Sequence, residues 1–267
     1  MDKKLLFFDI DGTLLTEDDE HYFVDSARSA LLKAKERGHE IFINTGRTSY
    51  LLDPALKQVP FDGFICGCGT QILYRGVCLF HRSIPKEQCV AIRDRIRELG
   101  SSVHAVFESD DSHYFDMADE SHNVAHIREM CMEMGPSGVR SIDDPDICFD
   151  KYIIFGPKKE LISLKTDFPK FQYIERDFAD AEINYEVVPI GYSKATGIDM
   201  LCKELGRDLA DCYVFGDSAN DLPMLQAVPN SIVMGNAPEE VKKLASFVTR
   251  DIREDGIAYA LEQLGLI

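Results

Sequence analysis

The chain has 267 residues, enough for one large or two modest domains with a sizeable buried core. Apolar residues make up 45% and charged residues 28%, the balance of a folded globular protein and not of a disordered or fibrous one. Aspartate and glutamate number 46 against 29 lysines and arginines, so the net charge of −17 creates a field that repels phosphate backbones and anionic lipid. Nucleic acid and membrane are therefore not expected as partners, and no feature calls for an obligate protein partner. An anionic substrate would have to be drawn in by a local positive group or a bound cation.

No apolar run approaches the ~18 residues of a membrane span. The run over 5–8 meets Asp9 too early to serve as a signal peptide, and a cytoplasmic location is expected. The eight cysteines, at 66, 68, 78, 89, 131, 148, 202 and 212, show no CxxC spacing and read as buried thiols of a reducing compartment. Cys66-Gly67-Cys68 is the one close pair, and no second Cys or His pair stands at a zinc-site spacing from it.

Short apolar runs at 5–8, 41–43 and 213–215 lack period-2 alternation and predict buried parallel strands. Each ends in small, polar or acidic residues. Ala27, Ala30, Leu31 and Ala34 share a helical face that stops at Gly38, and Ile198, Leu201, Cys202 and Leu205 share another that stops at Gly206. Segments at 222–225, 231–234, 239–244, 247–249 and 257–264 continue the alternation. The expected fold is α/β: a Rossmann-like parallel-sheet core with helices on both faces. Residues 84–187 read differently, with helices over 85–99, 122–134 and 158–167 and strands over 103–107, 113–115, 152–155, 171–175 and 185–188. This predicts an inserted α+β domain at 84–187 within a discontinuous core of 1–83 and 188–267. No internal repeat or low-complexity segment is present.

Asp9-Ile10-Asp11-Gly12-Thr13 follows the first strand. On an extended strand end, residues i and i+2 project to one side, so Asp9 and Asp11 can both face the crevice beyond the carboxyl edge of a parallel sheet. Asp-Gly-Thr is also ordinary turn chemistry, and read alone this segment leaves both interpretations open. Gly216-Asp217-Ser218-Ala219-Asn220-Asp221 places two more aspartates after a second buried strand. If the strands over 5–8 and 212–215 are neighbours, Asp9, Asp11, Asp217 and Asp221 converge, and oxygen-only ligation with room for water favours Mg²⁺ over zinc or copper. The competing reading, a polar loop with Asn220 or Asp221 as helix N-cap, accounts for one aspartate and not four. Thr45-Gly46-Arg47 offers a hydroxyl and loop N–H groups to a phosphate oxygen, and Lys194 opens a helical segment where its ammonium can neutralise phosphate and carboxylate.

Taken in order, DxDGT, a Thr after the second strand, a Lys opening a helix and GDxxND resemble the four motifs of the haloacid dehalogenase (HAD) superfamily. The mid-chain insertion, and the tail with Gly235-Asn236-Ala237-Pro238 and Glu254-Asp255-Gly256, resemble its Cof-type members with a C2B cap. The resemblance implies a Mg²⁺-dependent phosphatase for small phosphorylated metabolites, sugar phosphates or nucleotide-like compounds, with Asp9 as the nucleophile that forms an aspartyl-phosphate. It implies Asp11 as acid and base, and Asp9, the Asp11 carbonyl and Asp217 as Mg²⁺ ligands. Thr45, Gly46, Lys194 and Asn220 would hold the phosphoryl oxygens, and Asp221 would orient Lys194 and the metal shell. Two departures stand out: Ala195 follows Lys194 where the family usually has Gly, and Cys68-Gly69-Thr70 stands where relatives commonly read Asn-Gly-Ala. No substrate contact is carried over from that second loop.

Arg47 is either a helix-start residue or a substrate contact. His122 and His126 have a metal-capable spacing but no third ligand. The acidic stretch 108–112 reads as a solvated turn. Two further outcomes use the same residues: a phosphotransferase or phosphosugar mutase, since the aspartyl-phosphate can pass to an alcohol, and a catalytically silent ligand-binding regulator.

Overall fold

The computed structural model describes residues 3–18, 21–176 and 183–267. Elements run in chain order: β1 (Leu5–Phe8), α1 (Asp25–Glu36), β2 (Glu40–Asn44), β3 (Gly63–Cys66), β4 (Gln71–Tyr74), β5 (Val77–His81), α2 (Lys86–Glu98), β6 (His104–Glu108), β7 (His113–Phe115) and α3 (His122–Met134). They continue with β8 (Val139–Ser141), β9 (Lys151–Gly156), α4 (Lys158–Asp167), β10 (Phe171–Arg176), β11 (Ile183–Pro189), α5 (Lys194–Leu205), β12 (Cys212–Gly216), α6 (Leu222–Ala227), β13 (Asn230–Val233), α7 (Glu239–Lys242), β14 (Phe247–Val248) and α8 (Gly256–Gln263). Two compact units form: Met1–Gly46, Leu52–His81 and Tyr192–Ile267 make the first, and Arg47–Leu51 and Arg82–Gly191 the second.

The first unit is built on an eight-stranded sheet of order β14-β13-β12-β1-β2-β3-β4-β5, parallel from β14 to β3 and antiparallel through the last two pairings. β1 is central because all four of its residues are apolar and fully buried, which suits a strand covered on both faces. Leu6 and Phe8 face one apolar layer with α1 and α8 residues Ala27, Leu31, Ala260 and Leu261; Leu5 and Phe7 face the other with α5 and α6 residues Ile198, Leu201, Met224 and Leu225. The register pairs Phe8 with Ile43 of β2 and Phe215 of β12. The chain segments that leave β1, β2 and β12 therefore emerge side by side at one sheet edge. The hairpin of β4 and β5, turned by Arg75 and Gly76 at positive φ, has no counterpart among the sequence expectations.

The second unit is a six-stranded sheet of order β10-β11-β9-β6-β7-β8, with one layer formed by α2 and α4 residues packed on Phe107, Tyr152 and Ile154. The stretch at 108–112 is a turn between β6 and β7 that is solvated only at its tip, where Asp110 is half-buried and Asp111 exposed. Glu108, Ser109 and Ser112 are buried, because Glu108 ends β6 in register with Lys151 and His113 and takes the Lys151 ammonium at 2.9 Å. The His122 and His126 rings stack 6.5 Å apart, and neither belongs to a metal-capable cluster among the described residues. Cys78 departs from the expectation of buried thiols, because the edge strand β5 leaves it exposed; Cys148 is half-buried, and the other six are buried. No helix among the described residues is long and apolar enough to cross a membrane.

Candidate active site

Asp9 follows β1 directly and donates its backbone N–H to the Phe215 carbonyl at 3.0 Å, which fixes it beside the end of β12. The strand stops at Phe8, so strand pleating does not hold Asp9 and Asp11 as the sequence suggested. Ile10 instead accepts the N–H groups of Thr13, Leu14 and Leu15 in a tight turn, and Asp11 forms an isolated bridge with Leu15. Asp11 is half-buried at this turn. Gly12 makes the turn sterically feasible. Its φ of +74° belongs to the region L side chains avoid, and a Cβ there would overlap the Asp217 carboxylate. Gly12→Ala is accordingly expected to cost about 1–2 kcal/mol in backbone strain alone and to displace Asp217, lowering both thermal stability and cation affinity; a binding titration on the refolded variant checks it.

Asp217 follows β12 and accepts the Thr13 hydroxyl at 2.7 Å. Asp221 closes a 3-10 turn, Ala219–Asp221, but its carboxylate does not cap α6 as the polar-loop reading would have it. One oxygen accepts the N–H groups of Asp217 and Ser218 at 2.9 and 3.1 Å, and the other accepts Lys194. Lys194 is the first residue of α5, placed by a capping box in which Ser193 accepts the Thr196 N–H and the Thr196 hydroxyl accepts the Ser193 N–H. Asn44, at the end of β2, donates its amide to the Lys194 carbonyl at 3.0 Å and so ties the start of α5 to the sheet edge.

The Lys194 ammonium is 2.8 Å from Asp9 Oδ1, 2.6 Å from Asp221 Oδ1 and 3.2 Å from Asn220 Oδ1, so each of its three donors has an acceptor. Asp9, Asp217 and Asp221 are all buried, with carboxylate oxygens within 4.8 Å of one another. The Asp11 carboxylate is outside this tight group, yet its charge still pushes the Asp9 pKa upward. Two of these three carboxylates share the Lys194 ammonium and Asp217 has no bond to it, so the balance of the cluster is negative. Burial, and then repulsion from Asp221, push Asp9 up to about 7 against the pull of Lys194; burial, Asp221 and Asp9 push Asp217 up to about 9. Burial alone would depress the lysine, but Asp221 and Asp9 overcome it and hold the ammonium above the usual lysine range. A compact, buried, all-oxygen cluster with surplus negative charge fits a hard divalent cation.

Thr45 and Gly46 are buried and follow β2 at the same sheet edge; the Thr45 N–H donates to Ile65 and its carbonyl accepts Cys68 N–H. Cys68 adopts φ 55°, ψ 39° in the turn after β3, and the adjacent Gly69 leaves room for the Ser193 carbonyl, which a Cβ would overlap. Arg47 opens the second unit, where its guanidinium donates to the Leu51 carbonyl at 3.2 Å. The sequence reading gave no role to Thr13, Asn44 or Asn236. Thr13 and Asn236 lie inside motifs it quoted, and Asn236 donates to the Gly12 carbonyl at 2.9 Å while accepting the Ile252 N–H, which braces the turn after Asp9.

The acidic cluster braced by a buried lysine stands at the carboxyl edge of a parallel sheet, where α/β folds bind their ligands. A family model described as haloacid dehalogenase-like hydrolase matches residues 6–261, and the chain belongs to this family, in its Cof type. It is 32% identical to "Putative phosphatase YkrA" of Bacillus subtilis (strain 168), with 100% of each chain covered. It is 28% identical to the HMP-PP phosphatase of Serratia proteamaculans (strain 568), covering 90% of this chain and 87% of that one. Among solved structures it is similar to the HAD subclass IIB sugar phosphatase BT4131, with 27% identity, a TM-score of 0.82 and coverage of 99% and 100%. The chain is an enzyme, a phosphatase of the HAD type.

Proposed function

We propose that the enzyme is a Mg²⁺-dependent phosphatase that hydrolyses small phosphorylated metabolites, sugar phosphates or nucleotide-like phosphomonoesters, through an aspartyl-phosphate on Asp9. The observation that carries this reading is the buried Lys194 ammonium shared between Asp9 and Asp221 inside the three-aspartate cluster. Asp9 Oδ attacks phosphorus as the bond to the leaving oxygen breaks, and Asp11 gives that oxygen a proton. Asp11 then takes a proton from the water that attacks phosphorus, inorganic phosphate leaves, and Asp9 is regenerated. Lys194, Thr45, Gly46 and Asn220 hold the phosphoryl oxygens, with Asp221 fixing the lysine in place. Mg²⁺, held by Asp9, the Asp11 carbonyl and Asp217, would supply the positive charge that lets a carboxylate approach a phosphate dianion.

In this reading residues 84–187 are the cap and set the leaving group, with Arg47 as a substrate contact. The names of the relatives, an HMP-PP phosphatase and a sugar phosphatase, support a small phosphorylated substrate. A phosphate-release screen over sugar phosphates, nucleotides and cofactor phosphates with Mg²⁺ tests it. Free phosphate that disappears on chelation is the expected result; an isomeric phosphosugar would replace hydrolysis by transfer, and release undiminished by chelation would remove the metal from the reaction.

The charge imbalance also sets a pH dependence. Asp9 and Asp217 bind protons more tightly folded than unfolded, so without a divalent cation their contribution to stability is full below about pH 4 and is lost as the pH rises toward 9. Bound cation requires the deprotonated carboxylates and should offset this loss. The thermal midpoint is therefore expected to gain more from Mg²⁺ at pH 8 than at pH 6, which melting curves in EDTA and in excess Mg²⁺ compare directly.

A further inference from the structure

Cys202, on α5, and Cys212, the first residue of β12, are separated by ten positions in sequence and by 3.3 Å between their Sγ atoms. Both are buried in the apolar layer beside the connection over 203–211, which alternates exposed and half-buried residues and whose Gly206 turns at φ 62°. We propose that this pair is a site of reversible oxidative modification: a disulfide formed by hydroperoxide, joining the two elements that deliver Lys194 and Asp217. A disulfide needs about 2.05 Å between sulfurs, so little more than an ångström of approach closes it. The pair is already polarised. The hydrogen bond shared with Cys212 lowers the pKa of Cys202 against the opposing effects of burial and Asp199, with Arg207 a smaller aid, whereas the isolated burial of Cys66 pushes its thiol up to about 12. Cys202 is thus the nucleophile and Cys212 the resolving thiol.

The chemistry balances with a hydroperoxide as the sole oxidant. The Cys202 thiolate attacks the O–O bond, forming S–O and releasing an alkoxide or hydroxide that takes up a proton, which leaves a sulfenic acid. Cys212 sulfur then attacks the Cys202 sulfur; S–S forms, S–O breaks, and water departs with the Cys212 proton. Two thiols and one hydroperoxide give one disulfide, one alcohol or water, and one further water.

Trypsin offers a direct readout, because Lys203 and Arg207 lie between the two cysteines and cleavage leaves them on separate peptides. The full chain, reduced and freed of reductant, is treated with one to three equivalents of hydrogen peroxide, denatured with N-ethylmaleimide and digested. The expected result is a joined pair of peptides carrying Cys202 and Cys212, two hydrogens lighter than their sum and separated again by dithiothreitol. In Cys212→Ala, dimedone is expected to trap the sulfenic acid on Cys202. Recovery of both wild-type cysteines as maleimide adducts after the peroxide is consumed overturns the proposal, as does their conversion to sulfinic acids without a cross-link. The wild-type mapping decides the question even if the variant does not fold.

Discussion

Asp9→Asn is expected to lower turnover by at least about 10³-fold while leaving the fold intact, because an amide of the same shape keeps the backbone contact to Phe215 but cannot attack phosphorus. The structure supplies a second readout that separates chemistry from damage. Lys194 keeps Asp221 and Asn220 as acceptors when Asp9 loses its charge, and the cluster loses one of three mutually repelling carboxylates. The variant's melting temperature in EDTA should therefore equal or exceed that of the parent at pH 8. Steady-state kinetics beside melting curves check both parts; phosphate release near the parental rate would rule out Asp9 as the nucleophile.

Lys194→Met should do the opposite to stability. The side chain is fully buried and its ammonium bonds both Asp9 and Asp221, so its removal strands the two carboxylates without their shared partner. Breaking a buried ion pair by deleting one member typically costs about 3–5 kcal/mol, several times the cost of losing a surface pair. Chemical denaturation at pH 8 is expected to show a loss of this order, reduced at pH 6, where protons can take the place of the lysine. Asp217→Asn makes the contrast: among the described residues the Asp217 carboxylate is held by the Thr13 hydroxyl and by no cation, so losing its charge is expected to stabilise the metal-free protein and abolish its response to Mg²⁺. A Lys194→Met protein as stable as its parent would mean that the carboxylates are already neutral and the proposed charge balance is wrong.

What could be read from the sequence was what local patterning encodes. Apolar runs ending in aspartate located Asp9 and Asp217 at strand ends, and the stop at Gly206 located α5 and with it Lys194. The contacts that make the site were legible only through the family motifs, because Asp9 and Lys194 are 185 positions apart and meet through the strand order β12-β1-β2, which no local period records. The two oxygens of Asp221 illustrate the limit. Its position before α6 predicts a helix cap, and position alone carries no sign that a buried ammonium would claim one oxygen and two backbone N–H groups the other. The Cys202 and Cys212 contact escaped for the same reason, since it depends on where the chain returns after Gly206 and not on any spacing of cysteines. Glu108 was misplaced because acidity reads as solvent exposure unless a buried cation across the sheet is known.

The central place of β1 has a consequence for biosynthesis. The four consecutive large apolar side chains of β1 are translated long before one of the two strands that flank them, β12, which begins only at residue 212. Until that strand is translated, one edge of Leu5–Phe8 stays open, and the nascent chain must carry an unpaired, sticky ribbon. Completion of the sheet thus waits for β12, and truncated products that end before it should be the species that chaperones bind and proteases clear.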